Sequence, residues 1–183
     1  MSMVSQGDII LAAPSQGTSF ERAVVLITEH HSRGTVGLVI NHPHELTPAQ
    51  ALGWEMPMVD TLFRGGPVNT RALVMLHDTG WFSENTMTIS EDLAISSDTF
   101  MLEKIAAGNT PKHYRLIAGI SGWAPGQLAA EIDGTAPYAG GRPQWLVAGA
   151  AGSRDRIFSQ QGVLQWHTWI ELTAKRAVRE FFG

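Results

Sequence analysis

Ser121 stands in the segment Gly119-Ile120-Ser121-Gly122-Trp123, which comes close to the G-x-S-x-G pattern around an esterase nucleophile. The segment follows a predicted strand and precedes a predicted short helix, as it does in those enzymes. Trp123, however, occupies the place of the last glycine, and no histidine or aspartate partner for the serine can be assigned from the sequence. The segment therefore predicts a tight turn, in which Gly119 and Gly122 permit unusual backbone angles, rather than a catalytic serine.

The seven histidines do not form a recognised metal-binding pattern. His30 and His31 are adjacent, so on a strand they would point to opposite faces and could not share one ion. Zinc sites usually need three or four converging ligands, and neither the pair His42 and His44 nor His77 has enough partners nearby. The sequence also lacks the phosphate-binding loop of NTPases, the dinucleotide-binding fingerprint and the H-E-x-x-H motif. We therefore expect no metal and no cofactor.

Two turns punctuated by glycine and proline, Arg64–Val68 and Gly119–Leu128, are the most informative features of the chain. Consecutive glycines in the first turn allow backbone N–H groups to converge into an anion-binding nest. The second turn supplies a rigid aromatic ring followed by a helix N-terminus, where free amides can face an anion or a carbonyl group. The alternative is simple chain reversal, because Pro67 and Pro125 stiffen a turn whether or not a ligand binds there.

From these turns we predict one binding site that combines backbone donors, an aromatic face and hydrogen-bonding side chains. The candidate ligand-binding residues are Gly65, Gly66, Pro67, Trp123, Gln127, Asn41, His77 and Glu131. The pattern favours a noncatalytic ligand-binding, protein-binding or regulatory module, whose partner is an unidentified small molecule or protein. The rival interpretation is a hydrolase or transferase that uses His77 or Glu131 as general acid or base. No catalytic residue is assigned.

The composition is that of a globular chain with little charge. Its 183 residues are the usual size of one domain, and its net charge of −4 gives no support to a nucleic-acid partner or to direct regulation of transcription. Six basic residues of the C-terminal third are interpreted as a solvated surface. They are Arg142, Arg154, Arg156, Lys175, Arg176 and Arg179. Those near the end of the last helix are favourably placed beside the negative end of its dipole.

The same composition bears on localisation. The longest apolar runs, such as Val24–Ile27 and Gly37–Ile40, are far shorter than the roughly 20 residues that a membrane helix requires. Met1–Gln6 carries no basic residue ahead of an apolar run, which argues against a secretory signal. Cysteine is absent. We therefore expect a cytoplasmic protein without a membrane partner.

Short strands rich in Val, Ile and Leu recur along the chain. The predicted strands are Ile9–Ala12, Ala23–Thr28, Thr35–Asn41, Val59–Phe63, Ala72–His77, Met87–Ser90, Tyr114–Ile120 and Trp145–Ala148. Several of them lack a clean alternation of polar and apolar residues, which indicates burial on both faces beneath helices.

Three helices are predicted between these strands and after them. They are Asp98–Ala107 with Ser97 as its N-cap, Gln127–Ile132 and Val163–Phe181. The last would dock on a sheet through Val163, Trp166, Ile170, Ala174, Ala177 and Phe181. Loops are predicted over Gly134–Pro143 and Gly149–Arg156. The result is an α+β class with a mixed β-sheet core and flanking helices, in a single compact domain over residues 1–183.

Several segments match a known family in their order and spacing. They include Phe20-Glu21-Arg22-Ala23-Val24, Gly34–Asn41, Gly65-Gly66-Pro67-Val68 and Gly119–Leu128 with Glu131. On these segments the chain resembles the AlgH/YqgE family, bacterial proteins that carry a regulator's name without an agreed biochemical activity. The resemblance covers about residues 7–148 and implies a compact α+β domain in the bacterial cytoplasm. The chain departs from the family's pattern at Ser15–Ser19, where relatives usually have an Asp-containing turn, and at Ser121, which is frequently Ala.

Overall fold

The structure of the protein is a computed structural model, and it describes residues 3–57 and 59–183. Within this part of the chain, nine strands and five helices follow one another. The strands are β1 (Asp8–Ala12), β2 (Val24–His31), β3 (Gly34–Val39), β4 (Leu62–Arg64), β5 (Val68–Asp78), β6 (Met87–Thr88), β7 (Leu93–Ser96), β8 (Tyr114–Trp123) and β9 (Trp145–Ala150). The helices are α1 (Pro48–Leu52), α2 (Thr99–Ala106), α3 (Gln127–Asp133), α4 (Arg154–Phe158) and α5 (Gly162–Phe182).

All nine strands belong to one curled sheet, with the order β6-β7-β5-β8-β3-β2-β1-β9. Neighbours in this order are antiparallel, whereas β4 lies beside β8 and runs parallel to it. The sheet is therefore mixed, and the predicted α+β class is confirmed.

Both faces of the sheet are covered, which explains why the strand sequences lack clean alternation. On one face Ile9 and Leu11 of β1 pack in a cluster with Trp166 and Trp169 of α5. The residue between them, Ile10, packs on the other face in a cluster under α3. Successive side chains of a strand point to opposite faces, so a strand that is buried on both sides must be apolar throughout.

The C-terminal helix forms as predicted, but its docking face differs from the predicted stripe. Gln165, Trp166 and Trp169 are its buried residues, whereas Val163 is 43% exposed and Phe181 is 83% exposed. Only the first half of α5 packs on the sheet. The repeat of apolar residues continues beyond that half, so the stripe prediction is wrong for Ala174, Ala177 and Phe181, which are exposed.

Several boundaries also differ from the prediction. The segment Gly119–Trp123 belongs to β8, so the second turn is confined to residues 124–126. Asp98, not Ser97, caps α2, because its carboxylate accepts the Met101 N–H. The strand predicted at Val59–Phe63 begins only at Leu62, and Gly149–Arg156 contains the end of β9 and the start of α4. Neither α1 nor β7 was predicted. Among the described residues, no helix has both the length and the apolar character of a membrane span.

Candidate functional site

The two glycine-containing segments meet in the middle of the sheet. Gly65 follows β4, and its N–H donates to the carbonyl oxygen of Ala118 in β8 across 2.8 Å. Its carbonyl oxygen accepts two hydrogen bonds, from the Val39 N–H at 3.0 Å and from the Ser121 hydroxyl at 2.9 Å. The turn after β4 is thus bonded to both β3 and β8.

Glycine is required here because the two backbones approach closely. An added Cβ at Gly65 would lie 2.2 Å from the Gly119 carbonyl oxygen, and one at Gly66 would lie 2.3 Å from that of Ile120. Gly66 and Gly119 also have positive φ angles, +145° and +83°. Such contacts are too short for any side chain. Since the Gly65 N–H is already bonded within the sheet, it does not contribute to the predicted anion nest.

The second turn leads into a cluster of indole rings around Glu131. One carboxylate oxygen of Glu131 accepts from the indole N–H groups of Trp123 at 2.9 Å and Trp145 at 2.8 Å. The other oxygen accepts from the Gln127 amide at 2.8 Å. Phe20 completes the cluster, because its ring centroid lies 5.3 Å from that of Trp145 and 6.4 Å from that of Trp123. Glu131 therefore fixes the orientation of both indole rings.

Two neighbouring cavities lie along these segments. The larger, here the Arg64 cavity, encloses about 480 Å³. Its lining residues are Ser19, Phe20, Val39, Asn41, His42, Pro43, Arg64, Gly66, Pro67, Thr70, Gly162 and Val163. The smaller, here the indole cavity, encloses about 310 Å³. Its lining residues are Gln16, Thr18, Ser19, Phe20, Pro67, Gly122, Trp123, Gln127, Glu131, Tyr138, Gln144 and Trp145.

Ser19, Phe20 and Pro67 line both cavities, so the two cavities are neighbours along the two turns, and we refer to them together as the groove. Of the eight predicted site residues, six line this groove. They are Asn41, Gly66, Pro67, Trp123, Gln127 and Glu131. Gly65 lies behind it in the sheet, and His77 lines neither cavity.

Asn41 forms part of the wall of the Arg64 cavity, but its amide group is fully committed inside the protein. Its oxygen accepts from the Val24 N–H at 2.8 Å, and its nitrogen donates to the carbonyl oxygens of Arg22 and Gly162, each at 2.9 Å. The side chain is fully buried. Asn41 thus joins β2 to the start of α5 and supports the cavity instead of offering it a polar group.

His77 is fully buried on the far side of β5, away from the groove. Its Nδ1 bonds to the carbonyl oxygen of Asp78 at 2.7 Å, and its Nε2 bonds to the Ser96 hydroxyl at 2.8 Å. The ring packs edge-on against Trp81. Burial lowers the pKa of His77, and the bond to the Asp78 carbonyl and the negative charge of Asp78 act in the opposite direction. Both ring nitrogens have partners, so His77 connects β5 to β7.

The walls of the Arg64 cavity are mainly apolar, with two basic residues among them. Burial lowers the pKa of His42, and hydrogen bonds to the backbone of Arg22 and Glu21 partly oppose this shift. The imidazole is therefore neutral at pH 7. Arg64 is half exposed and bonds to the well-exposed Glu45 at 3.2 Å, an exposed ion pair of the kind that contributes little to stability.

Sequence reasoning missed Phe20, one of the three residues that line both cavities. The available signal was its place in the segment Phe20-Glu21-Arg22-Ala23-Val24, one of those on which the resemblance rests. Trp145 was assigned only to a strand, and Val163 only to a helix face. None of these three residues lies near the glycine turns in sequence, so no local pattern connects them to the site.

The sequence and the fold both agree with those of a known family. The model of that family, described as AlgH-like, matches residues 9–176. The chain belongs to the AlgH-like family. The match extends the resemblance seen in the sequence past residue 148 and into most of α5.

Individual relatives of the AlgH-like family agree with this assignment. The chain is 32% identical over 142 residues to a UPF0301 protein of Bradyrhizobium diazoefficiens, a match that covers 69% of this chain and 66% of that protein. It is 30% identical over 175 residues to a UPF0301 protein of Ruegeria pomeroyi, covering 91% and 90% of the two chains.

Two solved structures have the same fold. The solution structure of AlgH from Pseudomonas aeruginosa superposes with a TM-score of 0.69 at 27% identity, covering 98% of this chain and 92% of that one. The crystal structure of DIP2367 from Corynebacterium diphtheriae gives a TM-score of 0.70 at 25% identity, with 90% and 85% covered. The AlgH-like fold therefore extends over nearly the whole chain.

Proposed function

We propose that this AlgH-like protein is a noncatalytic binding module that holds a small molecule in the groove between the two glycine-containing segments. The observation that carries the proposal is that Ser19, Phe20 and Pro67 line both the Arg64 cavity and the indole cavity, which places the two cavities side by side. Each cavity has the volume typical of a small-ligand pocket, and the apolar walls with a few polar groups at the edges are typical of such pockets. We further propose that the module acts in the cytoplasm, in keeping with the absence of cysteine from its sequence.

The polar groups beside the groove support binding over catalysis. The Ser121 hydroxyl is buried and donates to the Gly65 carbonyl, so it is held by the backbone and not by a general base. Glu131 already accepts three hydrogen bonds from the residues around it. A nucleophile and a base within hydrogen-bonding reach of each other are the usual sign of covalent catalysis. Within the described part of the chain, the Ser121 hydroxyl bonds to a backbone carbonyl and to no such base.

The walls also indicate what kind of ligand fits. Phe20, Val39 and Val163 give the Arg64 cavity an apolar interior, with the Arg64 guanidinium at its edge. The indole cavity adds the faces of two large aromatic rings and the amide of Gln127. We infer a ligand with an apolar body and a negatively charged or carbonyl-bearing end near Arg64.

A metabolite screen by thermal shift, followed by NMR on the hits, tests this proposal. Val163→Asp places a charge in the Arg64 cavity at a position that is already 43% exposed, so the fold should survive. Val178→Asp is the matched control, because Val178 is 56% exposed on the same helix and lines neither cavity.

We expect Val163→Asp and Trp123→Ala to lose the ligand while Val178→Asp keeps it. Ligands that bind Val163→Asp and the folded Trp123→Ala as tightly as the unaltered protein would show that the groove is not the binding site. A ligand that is chemically converted during the screen, with conversion lost in Glu131→Gln, would instead favour a hydrolase or transferase.

A further inference from the structure

A basic cleft lies between β9 and α5, separate from the groove. The cleft encloses about 230 Å³. Four basic side chains border it, Arg156 from α4 and Lys175, Arg176 and Arg179 from α5. Arg156 precedes the three basic residues of α5 by 19 or more positions in the sequence, and the fold brings all four to one opening. The chain as a whole carries a net charge of −4, so this concentration of positive charge is local.

Two of the four charges have no carboxylate partner. Lys175 pairs with Glu171 at 2.6 Å and Arg176 pairs with Glu180 at 3.7 Å, in each case one turn away on the exposed surface of α5. Among residues 3–57 and 59–183, no ion pair involves Arg156 or Arg179. The cleft therefore has an excess of positive charge even after its neighbouring carboxylates are taken into account.

A glycine in β9 positions one of these guanidinium groups. Gly149 has a φ of +85°, and an added Cβ there would lie 2.9 Å from an Nη atom of Arg176. The guanidinium thus lies directly against the strand backbone, in a place that any side chain at position 149 would occupy. Trp169 and Leu172 line the inner part of the cleft. A helix dipole accounts for basic residues near a helix C-terminus, but it does not account for their convergence on one opening with a glycine beneath them.

We propose that this cleft binds the phosphate end of a small anionic ligand. Planar guanidinium groups donate pairs of parallel hydrogen bonds that match the oxygens of a phosphate, which makes arginine the usual residue for such recognition. Arg156 and Arg179 supply the unpaired charges, and the Arg176 guanidinium lies over Gly149. The cleft is compact and suits one or two phosphoryl groups. This site is independent of the groove and of the function proposed for it.

The test is an NMR titration of the full chain with inorganic diphosphate at low and at physiological ionic strength. We expect the Gly149 amide and the Trp169 indole signals to shift, because both lie at the cleft. The double variant Arg156→Gln with Arg179→Gln should bind diphosphate at least about tenfold more weakly than the unaltered protein, since it removes both unpaired charges. Arg156 and Arg179 are exposed, so the variant should keep its fold.

The matched control is the double variant Arg33→Gln with Arg142→Gln, which removes the same charge from exposed positions outside the cleft. Its affinity for diphosphate should stay within about twofold of that of the unaltered protein, because salt screens charges that lie far from the cleft. Equal weakening in both double variants would show that only the net charge matters and would overturn the proposal. A single-stranded oligonucleotide without a terminal phosphate serves as the second probe. If it shifts the cleft signals and diphosphate does not, the surface binds a polymer backbone, and the proposal is also wrong.

Discussion

The Ser121 hydroxyl donates a hydrogen bond of 2.9 Å to the carbonyl oxygen of Gly65, a residue 56 positions earlier in the chain. This bond joins the segment that looked like a nucleophile elbow to the segment that looked like an anion nest. Both are parts of one backbone crossing, where β8 passes against the turn after β4. Their close packing is what places Pro67 and Trp123 on the same groove.

The crossing leads to a first prediction, on Gly65. Replacement by alanine puts a Cβ 2.2 Å from the Gly119 carbonyl oxygen and 2.6 Å from the Ile117 side chain, so backbone must move. We expect the free energy of unfolding to fall by about 3 kcal/mol, as for other overpacked cores. Urea unfolding measures the loss. Gly122→Ala is the control, because Gly122 lies in β8, the strand against which Gly65 packs, and has open space around it. Equal losses in the two variants would contradict the close-packing explanation.

A second prediction concerns Glu131. Its two oxygens accept from two indole N–H groups and from the Gln127 amide. In Glu131→Gln one oxygen becomes an NH₂ group, which cannot accept, so at least one of these donors loses its partner. We expect a loss of about 1–3 kcal/mol in the free energy of unfolding. NMR should also show shifted indole N–H signals for Trp123 and Trp145.

The control for this variant is Asp133→Asn, which removes the same charge from an exposed position on the same helix. It should change stability by less than about 0.5 kcal/mol. If Glu131→Gln is as stable as Asp133→Asn and its indole signals do not move, the carboxylate does not orient the rings.

Local sequence patterns predict the elements of this fold well. The apolar runs of β1 and β2 indicate strands buried on both faces, and both faces are indeed covered. The two glycine and proline segments do meet in the fold, because glycine is needed on both sides of one close approach of backbones.

Contacts between distant segments are what the sequence does not reveal. Phe20 reaches the groove from the loop before β2, and Arg115 bonds to the side chain of Gln165, 50 residues later. The apolar repeat of α5 continues to Phe181, yet the last buried residue of the helix is Trp169. The spacing of apolar residues therefore predicts a helix, but it does not predict how much of that helix packs on the sheet.

A third prediction concerns Arg115, which is 6% exposed. Its guanidinium donates to the Ile40 carbonyl at 2.6 Å, to the Gln165 side chain at 2.8 Å and to the Gln160 carbonyl. Burial lowers the pKa of Arg115 to about 10. The group nevertheless stays charged at pH 7 and ties β8 to β3 and to the start of α5.

Arg115→Met should cost about 3–5 kcal/mol, because it leaves buried acceptors without donors. Hydrogen exchange should show faster opening at the start of α5 in this variant. Arg71→Met, at an exposed position on β5, is the control and should be nearly neutral. An Arg115→Met protein as stable as Arg71→Met would mean that water or another side chain satisfies the three acceptors.

The last prediction is a pH dependence of stability that arises from two histidines, His77 and His42. Burial lowers the pKa of His77 in the folded protein below its usual value of about 6.5. As the pH falls below about 6.5, the unfolded chain binds a proton before the folded one does, so the free energy of unfolding decreases. His42 acts in the same direction, because burial also lowers its pKa. The stabilisation from both groups is complete above about pH 7 and is lost as the pH falls through their folded pKa values.

Urea unfolding from pH 7.5 to pH 5 measures this slope, which approaches about 1.4 kcal/mol per pH unit for each histidine that protonates only on unfolding. His77→Gln should reduce the slope of the free energy of unfolding against pH, whatever the variant's stability at pH 7.5. The part of the slope that remains in this variant comes from His42. His167→Gln, at an exposed position on α5, should leave the slope as it is. If His77→Gln and His167→Gln give the same slope, His77 binds its proton equally well in the folded and unfolded chains, and its two hydrogen bonds compensate fully for its burial.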